Sequence, residues 1–264
     1  MKYQFFALTD QGRVRNNNED SASFDEPHRV AVLADGMGGY NAGEVASGMA
    51  TVFMQSELVR WLSSGAQNAD AEKIGKAIDI CARKVNQSIL QAAVSNPQYA
   101  GMGTTLVVGV FQEASLTLGH VGDSRCYRYR ANQLVQLTKD HSMLQEQVDA
   151  GLLTPEQAEI APGKNLLTRA LGAEDDLRID VGTYLVEADD IYLMCSDGLT
   201  DMVQEEDIAN ILKIGTSLES LATELIKAAN ASGGRDNIAV LLIKAQAPAV
   251  PAGLMSSWFG RSKH

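Results

Sequence analysis

Apolar residues along this chain follow either an alternating or a helical period. Alternating or continuous apolar runs predict strands near residues 3–9, 30–34, 105–111, 115–121, 125–130, 134–137, 181–186, 190–195 and 238–244. Between the second and third of these the period changes to that of a helix. Val45, Met49, Val52 and Val59 form one stripe, and Ile74, Ile78, Cys81, Val85 and Ile89 form another. Farther on, Ser217 is placed to cap a helix with Leu218, Leu221, Leu225 and Ala228 inward. Thr154, Pro155 and Gln157 have the spacing of a capping box with proline in the first helical position. "RANQ" (130–133) predicts a turn between strands.

Strands joined by short turns pair antiparallel, and amphipathic helices must cover the sheet faces. The expected fold class is therefore α+β, with two packed antiparallel β-sheets flanked by helical layers. Residues 141–172 are polar, interrupted by Gly151, Pro162 and Gly163, and helical only in short pieces, so they read as an insertion. The segment 245–264 opens with "AQAPAVPAG" and reads as a Pro/Ala linker and tail behind the folded part.

Composition narrows the function classes. The chain has 264 residues, 45% hydrophobic and 21% charged, enough to bury a real core. No apolar run is long enough for a membrane span, and "MKYQFFALTDQG" lacks the features of a secretory leader, so a cytoplasmic protein is expected. Cys81, Cys126 and Cys195 are odd in number and widely spaced, which argues against a disulfide framework or a structural zinc site. A net charge of −11 disfavours nucleic acid and anionic membrane as partners. The four histidines have no metal-binding spacing, so any metal must be held by oxygen.

Oxygen ligands are what the sequence offers. "VAVLADGMGG" (30–39) carries an apolar strand straight into Asp35 and Gly36; "HVGDSR" (120–125) and "YLMCSDGLTD" (192–201) repeat the figure at Asp123 and Asp197-Gly198. Asp236, in "GGRDN" (233–237), precedes the last strand and would reach the same end from the other chain direction. An acid at a strand end faces a cleft on a fixed backbone, and a following glycine lets that backbone approach an ion. Acids meeting at one sheet end repel unless cations lie between them, and all-oxygen coordination suits Mg²⁺ or Mn²⁺ rather than Zn²⁺. Arg15, with Glu19 and Asp20 beside it, could fork onto two phosphate oxygens.

The segments "GRVRNNNEDS", "VLADGMGGYNAGEVAS", "GMGTTL", "HVGDSR", "LTKDHS", "LTRALG", "MCSDGLTD" and "GGRDNIAVLLI" resemble, in order, the motifs of the metal-dependent protein Ser/Thr phosphatases (PPM, type 2C), in their bacterial form. The resemblance covers roughly residues 5–244 and implies a phosphatase domain over 1–244, with a variable flap at about 142–165. It implies two Mn²⁺ or Mg²⁺ ions, with a place for a third, weaker one, and hydrolysis of phosphoserine or phosphothreonine by a water bridging the ions. By position, Asp35 would bridge both ions and the Gly36 carbonyl would bind one. Asp197 and Asp236 would bind the other, and Glu19 and Asp20 would hold coordinated water. Asp123, with Asp197, matches the site of the third ion; Arg15 would hold the substrate phosphate, with Asn237 as a supporting partner.

The family often places a histidine near the Asp-Gly as leaving-group acid, where this chain has Met37 and Tyr40. Metal-bound water and Tyr40 both remain open for that role. His141, in the segment leading to the flap, is a lesser candidate. The implied partners are phosphoproteins, including a Ser/Thr kinase or its targets, acted on by a monomer. A degenerate binding module would have lost a core acid, and each expected acid is present. An enzyme for small phosphorylated molecules would use the same chemistry.

Overall fold

The structure is a computed structural model and describes residues 1–39, 42–163 and 166–247. One sheet has the order β1 (Lys2–Asp10), β11 (Ile238–Gln246), β10 (Ile191–Cys195), β7 (Arg125–Arg130) and β8 (Gln133–Gln136). The other has the order β2 (Asp20–Asp25), β3 (Val30–Met37), β5 (Leu106–Phe111), β6 (Ser115–Val121) and β9 (Asp180–Leu185), with β4 (Gly103–Thr104) beside β3. All of these pairings are antiparallel.

Alternation along each strand sorts its residues between two faces. On β3, Ala31 and Leu33 face the other sheet and pack with Tyr192, Met194, Ala239 and Leu241. Val30, Val32 and Ala34 face outward onto α1 (Ala42–Ser63) and α2 (Ala71–Ser95). The first sheet's outer face is covered by α5 (Asp197–Thr200), α6 (Glu205–Ile214) and α7 (Leu218–Ala231). The expected α+β sandwich is the observed one. No helix among the described residues is long and apolar enough to cross a membrane.

Local signals hold where the chain's own chemistry decides. Thr154 and Gln157 close a capping box on α4 (Pro155–Ile160), which follows α3 (Met143–Asp149) in the insertion. Ser217 accepts the Ser220 N–H as the cap of α7. The turn at 130–133 is built with Ala131 and Asn132 at φ 49° and 63°, the left-handed pair that suits a tight hairpin. The α2 stripe is buried as expected, and all three cysteines are buried and free.

The α1 stripe is corrected. Val52 is 59% exposed, and Val45, Met49 and Val59 are only partly buried. The buried face is Ala42, Ala46, Ala50, Met54, Leu58 and Leu62, because the helix start lies too close to β3 for branched side chains. In α7, Ala228 is only partly buried and Ala229 takes the inward place. β2 was not expected from the pattern. β11 runs through Ala245 and Gln246, paired with Tyr3 and Lys2, so the strand extends past the expected start of the tail. The tail beyond residue 247 lies outside the described residues.

Candidate active site

Antiparallel pairing brings the ends that carry acids to one edge of the sandwich. Leu33 on β3 is opposite Val107, Leu106 is opposite Val121, Cys195 is opposite both Arg125 and Val240, and Asp10 is opposite Ile238. The C-terminal end of β3, the start of β2, the segments after β6 and β10 and the segment before β11 therefore share that edge. Asp35 continues the inward face of Ala31 and Leu33, so the register aims it at the neighbouring sheet. A cleft of about 220 Å³ forms there, lined by Arg15, Glu19, Asp35, Asp123, Asp197 and Asp236, with Gly36 and Asn237 also in its wall. Four aspartates from distant parts of the sequence thus meet in one cleft.

Hydroxyl and amide groups fix the acids. Thr105 Oγ1 accepts the Asp35 N–H at 2.9 Å, while Thr104 Oγ1 (2.8 Å) and the Thr105 N–H (2.9 Å) donate to the Asp35 carbonyl. Ser196 Oγ donates to Asp20 Oδ2 at 2.7 Å and accepts the Ala239 N–H. Asn237 accepts the Glu19 N–H at 2.8 Å and donates to the carbonyls of Gln11 and Asn17, clipping the loop that carries Arg15 and Glu19. The positions of Thr104, Thr105 and Ser196 against the acids do not follow from the sequence: a hydroxyl bonded across a large sequence separation leaves no spacing signal.

Glycines permit this closeness. A Cβ on Gly36 would lie 2.1 Å from the Gly43 carbonyl oxygen and 2.7 Å from that of Glu19, and a Cβ on Gly198 would lie 1.9 Å from the Asn237 carbonyl oxygen. Gly36→Ala is expected to lose about 3 kcal/mol of stability through this overpacking, read as a fall in melting temperature. Gly48→Ala, in α1 with open space around it, should instead hold or gain slightly. Equal melting of the two variants would contradict the close-approach account.

The electrostatics are those of crowded acids. Asp20 and Asp35 are directly opposite across β2 and β3, a like-charge pair that destabilises a sheet. Burial, then the neighbouring Asp20 and Asp197, holds Asp35 well above the carboxylate range. Burial likewise pushes Asp20 and Asp197 up to about 7 and Asp123 up to about 8. Glu19 is raised too, chiefly by burial. Asp20 Oδ1 is buried and meets no hydrogen-bond donor of the protein. An all-oxygen set with a donorless carboxylate oxygen fits a hard divalent cation. Arg15 stands at the mouth, 48% exposed, with its guanidinium 2.6 Å from Asp236 Oδ2.

His141 is placed beside the cleft and does not line it. Its N–H donates to the Gly122 carbonyl (2.9 Å), its Nδ1 accepts the Gly122 N–H (3.2 Å), and its Nε2 lies 3.2 Å from Asp180. Its pKa is lowered by burial and then by His120. Tyr40 lies outside the described residues.

Among the described residues, His120, His141 and Asp180 form the one trio of His, Cys, Asp or Glu whose ligating atoms lie within 4.8 Å of one another. The two rings stack at 4.7 Å, and Arg169 donates to Asp180 at 3.0 Å. That guanidinium already supplies the cation, so the trio ties the insertion to β9. The cleft acids form no such trio among the described residues.

The Protein phosphatase 2C family profile matches residues 13–242, and the chain belongs to that family. Serine/threonine phosphatase stp of Listeria welshimeri is 40% identical over 243 residues, covering 89% of this chain and 93% of the relative. The crystal structure of Mycobacterium tuberculosis serine/threonine phosphatase PstP/Ppp superposes with a TM-score of 0.82 at 36% identity, covering 94% of this chain and 100% of that one. The catalytic domain of PstP in complex with 2 manganese ions superposes with a TM-score of 0.79 at 36% identity, covering 93% and 99%.

Proposed function

We propose that the protein is a phosphoprotein phosphatase that hydrolyses phosphoserine and phosphothreonine with Mn²⁺ or Mg²⁺. The observation that carries this is the convergence of Asp35, Asp123, Asp197 and Asp236 on one cleft, with Asp20 buried opposite Asp35 on the neighbouring strand and Arg15 at the mouth. The named activity of the relatives and the manganese-bound PstP domain support it.

Asp35 would be shared by two ions, with the Gly36 carbonyl on one and Asp197 and Asp236 on the other. Glu19 and Asp20 would act through coordinated water, and Asp123 with Asp197 would hold a third ion. When bound, the ions supply Lewis acidity that makes water at the site ionise near neutral pH and offsets charge on the phosphate. The protein's own residues do the positioning. Thr104 and Thr105 hold the Asp35 backbone, Ser196 orients Asp20, and Asn237 fixes the loop of Glu19. Arg15 can exchange Asp236 for two phosphate oxygens, a fork that matches the charge growing on phosphorus-bound oxygen during in-line attack. His141 acts by fixing Gly122, one residue before Asp123.

We place residues 1–244 as the catalytic unit, acting as a monomer in the cytoplasm on phosphoproteins of a Ser/Thr kinase system. Turnover of phosphothreonine peptides, phosphoproteins and phosphometabolites with Mn²⁺ tests this. Phosphopeptides and phosphoproteins should be hydrolysed with far higher kcat/KM than metabolites. A metabolite that outcompetes them would reassign the substrate class.

The insertion is proposed to select substrates, because loops on a rigid scaffold carry specificity. Exchanging residues 142–165 for another sequence is expected to change the ranking of phosphoprotein substrates while leaving aryl phosphate hydrolysis within about twofold. Equal losses on both kinds of substrate would contradict it.

A further inference from the structure

We infer that a groove beside the cleft receives an Arg or Lys side chain of the substrate polypeptide; the inference rests on the phosphatase reading above. The groove is a cavity of about 410 Å³ that shares Asp123 and Asp197 with the cleft, so a side chain flanking a phosphate seated at the acids is within its reach. Its two walls differ. The insertion supplies Leu144, Val148, Pro155 and Ala158, and the opposite wall around α6 supplies Asp201 and Glu205.

Charge bookkeeping decides the occupant. Arg125 is the one cation in the lining among the described residues, and Asp140 binds it through contacts of 3.0, 3.0 and 2.7 Å. Asp123 and Asp197 belong to the proposed ion site. That leaves Asp201, exposed, and Glu205, 55% exposed; Glu205 Oε1 accepts from Tyr127 and lies 4.0 Å from Arg125 Nη1, so Asp140 and Glu205 share the one guanidinium and the lining still carries more acid than base. An apolar wall facing an acidic one fits a long side chain with a methylene stem and a cationic head. An acidic substrate residue at the same place meets like charge and loses hydration without a partner.

The test uses the Mn²⁺-loaded full chain and phosphothreonine peptides in which a single Arg, Ala or Glu is walked through the positions on either side of the phosphothreonine. At one or a few positions Arg should raise kcat/KM about tenfold over Ala, mainly through KM, and Glu should lower it. In the Asp201→Asn/Glu205→Gln double variant that ratio should fall to about twofold or less, with aryl phosphate turnover unchanged. Aryl phosphate turnover also reports folding; if the double variant loses it, the single Glu205→Gln variant carries the comparison and should reduce the ratio by itself. Peptides hydrolysed at equal kcat/KM whatever the flanking charge, or a preference that survives in the variants, would overturn the groove while leaving the phosphatase intact. Aryl phosphate turnover with no phosphopeptide hydrolysis would overturn the phosphoprotein reading, and the groove with it.

Discussion

An Asp35→Asn variant is expected to lose Mn²⁺-dependent phosphatase turnover by about a thousandfold or more, equivalent to roughly 4 kcal/mol of barrier. The same change should raise the melting temperature of the chelated protein at pH 8. Both effects follow from one position. Asp35 is the acid that meets Asp20, Asp197 and Asp123 together, so its charge is the one two ions can share. Without ions, that charge is buried among like charges and disfavoured. An asparagine keeps the shape, donates hydrogen bonds to neighbouring carboxylates and removes the repulsion. Activity and metal-free stability should therefore move in opposite directions. Turnover within tenfold of wild type, or a chelated variant that melts lower, would remove Asp35 from the centre of the mechanism.

The chelated wild-type protein is expected to lose stability as pH rises from about 4 to about 8, and Mn²⁺ should restore it. Asp20 and Asp197 are raised to about 7 and Asp123 to about 8, whereas the unfolded chain titrates near 4. Between those values the native state holds protons that the unfolded state has released. Raising pH therefore favours unfolding: the contribution is fully present below about 4 and is lost through about 7–8. Divalent ions take the place of the protons, so their binding releases protons and stabilises more at high pH. Thermal melts with chelator and with Mn²⁺ should differ by about 10 °C at pH 8 and by much less at pH 5.5. A metal-induced shift that is equal at both pH values, or larger at the acid one, would contradict the shared, proton-retaining cluster.

Much of this was legible because strand periodicity and the acids at strand ends are local. Runs ending at Asp35, Asp123 and Asp197 marked the carboxylates, and antiparallel register then carried them to one edge. The α2 stripe and the Thr154 capping box are equally local. β2 was hidden because "DSASFD" lacks the branched and aromatic density of a strand and forms by pairing with β3. The α1 face misled because valines attract attention, whereas the tight approach of Gly43 to Gly36 selects alanine and glycine there. Ser196 and Thr105 act across the two sheets or between turns, so only the folded chain gives their hydroxyls a purpose.

In the proposed mechanism these distant acids hold divalent ions to hydrolyse phosphorylated protein. Phosphate release from a phosphothreonine peptide, followed as Mn²⁺ is added back to the chelated protein, tests it most directly. Release should be absent in chelator, rise to saturation with Mn²⁺, and stay absent in Asp35→Asn at every Mn²⁺ concentration. Undiminished release in chelator would contradict the account.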